Sequence, residues 1–239
     1  MLKDILEFRR ATRNYSDRSI DPDSVAECIR LAQLTPTSSN MQMYEVYHIV
    51  DKKLLNKVAN ACLGQGAATT AQQIVVFVTR QDYYRQNAQT LLNFEKENVM
   101  RNSPQDRWAH RIKRWEMYYG KYIPFIYARF GGLLGMVRKV LAQTVGLFRP
   151  IVRQVSESDR RVSVHQSCGM VAQTFMLAMA EKGYDTCPLG GFDSWRLKKI
   201  LHLPHGSEIG LVVSCGIRNK SGIWGDRFRF PFDKIYKRV

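Results

Sequence analysis

Three arginines stand close together near the start of the chain, at Arg9, Arg10 and Arg13. Arginine presents a rigid, planar set of N–H donors that matches the oxygens of a phosphate, so this cluster favours an anion site. A turn rich in hydroxyl and amide side chains follows over residues 36–42. Together the two segments predict a ligand whose phosphate is bound at one end and whose body is hydrogen-bonded along its length.

Two further segments suit the same ligand. Gly190 and Gly191 lie in a turn just before a helix that Asp193 is expected to cap. Small residues at such a place let backbone N–H groups approach a planar ligand closely. Near the end of the chain, Arg227 and Arg229 supply two more guanidiniums.

The elements that must position these residues are a mixture of helices and strands. The apolar runs at 74–78 and 209–214 predict strands, the first buried on both faces of a sheet. Pro22 after Asp21 predicts the start of a helix, and the small, Met-rich stretch 169–182 predicts a central one. The other predicted elements are a short helix ending at the arginines, a strand over 46–50, and helices over 53–61 and 193–201.

The composition is that of a globular protein with an excess of positive charge. Of the 239 residues, 45% are hydrophobic, and the net charge is +15. Such a charge implies an anionic partner, which can be a phosphorylated cofactor, a nucleic acid or an acidic membrane surface. No apolar run reaches the roughly 18 residues of a membrane-spanning helix, and the amphipathic start of the chain does not resemble a signal peptide. We therefore expect a cytoplasmic protein.

The cysteine pattern points the same way. Five cysteines are scattered along the chain without a C-x-x-C pair and without histidines at metal-ligand spacing. We therefore expect buried free thiols in a reducing compartment and no metal site.

The order of these segments resembles the FMN-dependent nitroreductase family, over residues 1–80 and 163–231. The resemblance implies an α+β fold with a central mixed, mainly antiparallel sheet flanked by helices. It also implies a homodimer with an FMN in each of two interface sites, and NAD(P)H as the electron donor. The residues that the resemblance places at the flavin are Arg9, Arg10, Ala11, Arg13, Pro36, Thr37, Ser38, Asn40, Gln65, Leu189, Gly190, Gly191, Arg227 and Arg229.

The resemblance gives these residues roles. The first and last arginines of the 9–13 motif reach the phosphate and the isoalloxazine edge, and the 227–229 pair reaches the phosphate. The 36–40 turn covers the flavin of the partner subunit, and Gln65 contacts the ring or ribityl chain. A backbone N–H of the 190–191 turn lies against flavin N5. No catalytic side chain is expected, because the cofactor carries the chemistry.

A central segment, residues 84–160, departs from the family pattern as a helical, basic and aromatic insertion in a single domain of residues 1–239. Between residues 101 and 153 it has eleven Lys or Arg and two acidic residues. On a helical wheel, residues 133–153 divide into a basic arc containing Arg138 and Lys139 and a wide apolar arc. This pattern is typical of a helix in a membrane interface, and the aromatic residues from 119 onward suit the headgroup level. The same pattern also fits a helix that packs on the dimer or covers the flavin pocket.

The implied function is hydride transfer from NAD(P)H via flavin N5 to a quinone, nitroaromatic or similar organic acceptor by a ping-pong mechanism. The surface of residues 119–153 would place the enzyme on the inner face of an anionic membrane. The alternatives are a flavin-dependent reductive dehalogenase, a flavin-remodelling enzyme, and a non-catalytic membrane-associated flavoprotein. Nucleic acid is not an expected partner, because no recognised binding module is present.

Overall fold

The structure is a computed structural model that describes residues 1–239. Four strands form one sheet, and helices lie on both sides of it. The strands are β1 (Tyr44–Ile49), β2 (Gln73–Thr79), β3 (Asp185–Leu189) and β4 (Glu208–Gly216). The helices are α1 (Leu2–Phe8), α2 (Pro22–Ala32), α3 (Lys52–Ala61), α4 (Gly66–Thr69), α5 (Tyr84–Asn102), α6 (Trp108–Met117), α7 (Ile123–Tyr127), α8 (Leu133–Val145), α9 (Glu157–Glu181), α10 (Ser194–Ile200) and α11 (Phe232–Ile235), with a π-helical turn at Tyr118–Tyr122 between α6 and α7.

The sheet has the strand order β1-β2-β4-β3, and every ladder in it is antiparallel. An isolated parallel bridge between Ala11 and Thr186 ties the segment after α1 to the outer edge of β3. The α+β fold predicted from the sequence is therefore confirmed, with antiparallel pairing throughout the four strands.

Strand β2 separates the two main cores, because all of its side chains are buried and successive ones point to opposite faces. Ile74, Val76 and Val78 pack in a cluster with residues of α3 and α10. Val75 and Phe77 pack in a second cluster with residues of α2 and α9. The prediction of a strand buried on both faces is confirmed, and it fixes a three-layer arrangement of helix, sheet and helix.

The sequence also predicted the helix starts, although some boundaries differ. Asp21 caps α2 by accepting from the N–H groups of Asp23 and Ser24, and Asp193 caps α10. The strand expected at 46–50 begins earlier, and the helix expected at 169–182 is the second half of α9. All five cysteines are buried and free, as expected.

The central segment folds into α5, α6, the π-helical turn, α7 and α8, and it builds a third apolar cluster. Leu92, Ile123 and Tyr127 are among the buried residues of this cluster. Met41 and Met43, from the turn before β1, are buried in the same cluster. The central segment is therefore packed directly on the hydroxyl-rich turn at residues 36–42.

The helix over residues 133–153 is shorter than predicted, and one arginine of its basic arc is not solvated. Helix α8 ends at Val145, and Arg153 folds back so that its guanidinium donates to the carbonyl of Gly146 (2.7 Å). Arg138, expected on a solvated basic arc, is only 2% exposed. Val140, on the apolar arc, is 62% exposed. The helix therefore points its arginine inward and its apolar arc outward.

Three backbone carbonyls explain this orientation. Arg138 donates from Nε to Val155 (3.0 Å) and from Nη1 to Phe125 (2.6 Å) and Ala128 (3.1 Å). Phe125 lies in the last turn of α7, Ala128 follows that helix and Val155 precedes α9, and none of their carbonyls accepts from a backbone N–H. The burial of Arg138 lowers the pKa of its guanidinium, and the three carbonyls supply the acceptors that water would otherwise provide.

We expect Arg138→Met to destabilise the protein by about 3 kcal/mol, because three carbonyls would lose a charged donor inside the segment. Lys139→Met is the matched control, because Lys139 is exposed on the next position and should change stability by less than about 0.5 kcal/mol. Urea unfolding followed by circular dichroism measures both. Equal midpoints for the two variants would contradict the role given to Arg138.

Candidate functional site

A cleft of about 180 Å³ lies between the segment after α1 and the C-terminal tail. One side is formed by Arg9, Arg10 and Ala11, and the other by residues 226–229. The structure thus brings together arginines that lie at opposite ends of the sequence. Arg10 also donates to the carbonyl of Gly225 (2.7 Å), which ties the tail to the arginine segment.

A buried ion pair that the sequence analysis missed holds this arrangement. Asp185, the first residue of β3, is 3% exposed and accepts from the backbone N–H (2.8 Å) and Nε (2.6 Å) of Arg218. Thr12 donates its hydroxyl to the same carboxylate (3.4 Å), and Arg218 donates to the carbonyl of Phe8 (2.9 Å). An acidic residue opening an otherwise apolar strand was the available signal, because a buried carboxylate needs a partner.

Arg227 lies at the carboxyl end of α1. Its guanidinium donates to the carbonyls of Leu6 (2.9 Å), Glu7 (3.0 Å) and Arg9 (2.7 Å). A cation is favourable there, because the last carbonyls of a helix lack partners and carry partial negative charge. Arg227 therefore fixes the backbone that carries Arg9, and its predicted contact with a phosphate stays a prediction.

The cleft carries more positive charge than its one carboxylate, Asp226, can neutralise. Burial lowers the pKa of Arg9, and the nearby charges of Arg227, Arg229 and Arg10 lower it further. No arginine lining the cleft is within ion-pair distance of a carboxylate, although Asp226 lies in the same lining. An anion with several oxygens would relieve this repulsion and match the donor set.

Gln65 and the glycine turn lie next to each other and near the arginine segment. The Gln65 side-chain amide donates to the carbonyls of Gly191 (2.7 Å) and Cys62 (3.0 Å). A Cβ on Gly66 would lie 3.1 Å from the carbonyl oxygen of Arg13, so α4 begins directly against the arginine motif. The Arg13 guanidinium stacks on Trp224, which the sequence analysis did not single out (5.6 Å to the ring centroid).

Gly190 has no structural reason within the protomer to be a glycine. A Cβ at this position would meet no atom within 4 Å, and its φ is not in the left-handed region. The preceding Leu189 is 1% exposed and packs in the core, and its predicted contact with the flavin stays a prediction. The open face at Gly190 is thus available for a group from outside the chain to approach the backbone.

The turn at residues 36–40 lies in a different part of the protomer. Ser39 and Asn40 have left-handed backbone conformations, with φ of 54° and 53°, which is a costly arrangement outside glycine. The Ser38 N–H donates to the hydroxyl of Ser167 on α9 (3.2 Å). Tyr118 shares a hydrogen bond with the Ser39 hydroxyl (2.7 Å). The turn is therefore held by α9 and by the π-helical turn of the central segment.

The predicted site residues thus form two groups that share no hydrogen bond. The first contains the residues of the arginine cleft, Gln65 and the glycine turn, and the second contains Pro36, Thr37, Ser38 and Asn40. The prediction that the second group covers the flavin of a partner subunit stays a prediction.

Comparisons with known proteins give the chain its family. A model of the nitroreductase family matches residues 6–217. The Bacillus subtilis protein MhqN, a candidate NAD(P)H nitroreductase, is 21% identical over 213 residues, which are 89% of this chain and 86% of that protein. The match to the family model spans the central segment as well as the sheet.

Solved structures show the same fold. The candidate nitroreductase ydfN of Bacillus subtilis has a TM-score of 0.74 at 18% identity, over 99% of this chain and 98% of that one. A candidate nitroreductase of Exiguobacterium sibiricum, solved in complex with FMN, has a TM-score of 0.68 at 18% identity, over 100% and 97% of the two chains. Since the family model matches most of the chain, and the sheet and its flanking helices agree with these folds, the protein belongs to the nitroreductase family, as its motifs predicted.

Proposed function

We propose that the protein is an FMN-dependent oxidoreductase that passes a hydride from NAD(P)H via flavin N5 to a quinone, nitroaromatic or similar acceptor, by a ping-pong mechanism. The general class, an oxidoreductase that uses FMN and NAD(P)H, is that of the family to which the chain belongs. The observation that carries the proposal is the cleft of unpaired arginines beside a glycine turn with an open backbone face.

The residues of the first group fit FMN. The guanidiniums of Arg9, Arg10 and Arg229 would bind the phosphate, since Asp226 is the one carboxylate in the lining to compete with it. Arg13 would lie towards the electron-rich edge of the ring, where a cation favours the reduced form. Bound FMN would supply reversible two-electron chemistry at N5. The 190–191 turn would orient that atom by a backbone N–H, and no catalytic side chain is required.

The second group of site residues is proposed to complete the site of a partner subunit in a homodimer. Pro36, Thr37, Ser38 and Asn40 would cover the flavin from across the interface. The strained backbone of this turn supports the proposal, because such conformations persist only where the surrounding structure enforces them, and they are frequent at ligand sites.

The oxidoreductase reading is tested by the colour of the protein. We expect the purified protein to be yellow with about one FMN per chain, and NADH or NADPH to bleach it under anaerobic conditions before any acceptor is added. A quinone or a nitroaromatic should then restore the colour. If the protein binds FMN but NAD(P)H does not bleach it, the result would favour a non-catalytic flavoprotein. If only a halogenated aromatic restores the colour of the reduced protein, the result would favour a dehalogenase.

Gly190→Ala tests where the flavin binds. The added methyl would occupy the open face, so we expect the affinity for FMN to fall by about tenfold or more. The stability of the FMN-free protein should rise by up to about 1 kcal/mol, because the alanine fits the backbone and restricts the unfolded chain.

The matched control is Gly169→Ala in α9, where a Cβ also meets no atom within 4 Å. It should stabilise the protein and leave the FMN affinity unchanged. Flavin fluorescence titration and thermal unfolding measure both quantities. Wild-type affinity of Gly190→Ala for FMN would remove the glycine turn from the site.

We also propose that residues 119–153 dock the enzyme on the cytoplasmic side of an anionic membrane. No helix of the structure is both long and apolar enough to span a bilayer. The outward apolar arc of α8 supports docking in the interface instead, because Val140 is 62% exposed, and Phe148, just after the helix, is 86% exposed. Between residues 131 and 155 there is no acidic side chain, and the exposed Lys139 and Arg149 suit anionic headgroups.

Vesicle co-sedimentation tests the docking. Wild-type protein should sediment with vesicles of phosphatidylglycerol and phosphatidylcholine, and Val140→Glu should stay in the supernatant, because a carboxylate is repelled by anionic headgroups. The control is Leu34→Glu, at an exposed leucine outside the segment. Equal recovery of wild type and Val140→Glu would overturn docking. A shift of Val140→Glu from dimer to monomer without a change in sedimentation would make the apolar arc an interface between subunits.

A further inference from the structure

A second cavity lies inside the central segment, apart from the arginine cleft. It has a volume of about 740 Å³, within the range of pockets that take small organic ligands. Helices α5 and α6 and the π-helical turn form its walls, and Ser39 of the hydroxyl-rich turn closes one end. None of the other residues that line it was singled out as a site residue in the sequence.

One wall of this cavity is aromatic. Trp115 and Tyr119 are stacked, with ring centroids 5.5 Å apart and an interplanar angle of 19°. Tyr118 meets Tyr119 edge to face at 5.0 Å. The wider π-helical turn brings both tyrosines, adjacent in sequence, to the same cavity, and such turns are frequent at functional sites. A wall of this kind favours a flat, conjugated ligand that can stack on it.

The same wall also carries cations without carboxylate partners, because Arg111 and Arg114 lie on α6 at helical spacing from Trp115 and Tyr118. Arg111 donates to the Ser103 hydroxyl (2.6 Å), and neither Arg111 nor Arg114 is within ion-pair distance of an acidic side chain. The acidic residue of the lining is Glu95, which accepts from the side-chain amide of Asn98 (3.1 Å). Two guanidiniums against one carboxylate leave the cavity positive, so a neutral aromatic ligand would not satisfy it.

The cavity is connected to the turn that is proposed to cover the flavin. Tyr119 donates its hydroxyl to the Ser39 carbonyl (3.0 Å), and Tyr118 is hydrogen-bonded to the Ser39 hydroxyl. An occupant stacked on Tyr118 would therefore contact a ring that is itself hydrogen-bonded to that turn. Because that turn is proposed to cover the flavin, the cavity is a candidate site for the acceptor of the proposed reaction.

We propose that this cavity binds the acceptor, and that the acceptor is a planar aromatic compound with one anionic group, such as a quinone or nitroaromatic carboxylate. The assignment rests on the proposed function. The rings of Trp115 and Tyr118 would stack on the conjugated system, and Arg111 and Arg114 would bind the anionic group through paired N–H donors.

Anthraquinone-2-carboxylate and the neutral anthraquinone-2-carboxamide form a matched pair of probes, equal in shape and different in charge. Isothermal titration of the protein as purified should give the carboxylate an affinity about tenfold higher, the effect of one charge-assisted hydrogen bond. Arg114→Gln should abolish this preference and leave the affinity for the carboxamide unchanged. Arg107→Gln, at an exposed arginine outside the lining, should behave as wild type.

Two outcomes would overturn the assignment. One is an equal affinity of the wild-type protein for the two probes. The other is tighter binding of adenosine 2′-phosphate than of anthraquinone-2-carboxylate, which would make the cavity a subsite for the electron donor. Thermal unfolding of each variant separates loss of binding from loss of fold. Because the titration needs no turnover, and the visible absorbance of flavin is recorded separately, failure of the FMN proposal and failure of this one give different results.

Discussion

The buried ion pair between Asp185 and Arg218 is the interaction on which the arrangement of the arginine cleft depends. It joins the first residue of β3 to the segment that follows β4. The Asp185 carboxylate also accepts from the Thr12 hydroxyl, and the Arg218 guanidinium also donates to the Phe8 carbonyl. A carboxylate this deeply buried is costly unless every oxygen has a donor, so these four groups must assemble together. The segment that carries Arg9 to Arg13 is thereby fixed against the edge of the sheet.

The fixed segment explains how like charges can be concentrated. Arg227 donates to the last carbonyls of α1, and Arg10 donates to the carbonyl of Gly225 in the tail, so neither of these contacts places a carboxylate beside the cleft arginines. The guanidiniums repel one another, and burial together with this repulsion lowers the pKa of Arg9. Binding of a phosphate would release this unfavourable energy, which is how a preorganised anion site gains affinity.

The sequence predicted the elements whose signals are local. The buried strand β2 follows from five consecutive apolar residues, and the starts of α2 and α10 follow from Asp21 and Asp193 as capping residues. For helix α8, periodicity identified two arcs but did not tell which of them faces inward, so the sequence left both orientations open. Arg138 faces inward because carbonyls of Phe125, Ala128 and Val155 need donors, and that need arises only when distant loops have folded.

The candidate site follows the same division. The arginine motif and the glycine turn were visible as residue types, whereas Arg218, Trp224 and the aromatic cavity depend on contacts between segments far apart in sequence. The central segment also supplies the groups that hold Ser39 in its left-handed conformation. A strained turn keeps its geometry only while its supports are rigid, so Tyr118 and Tyr119 couple the packing of the cavity to the geometry of the turn. The central segment is therefore the part of the protein that shapes the turn proposed to cover the flavin.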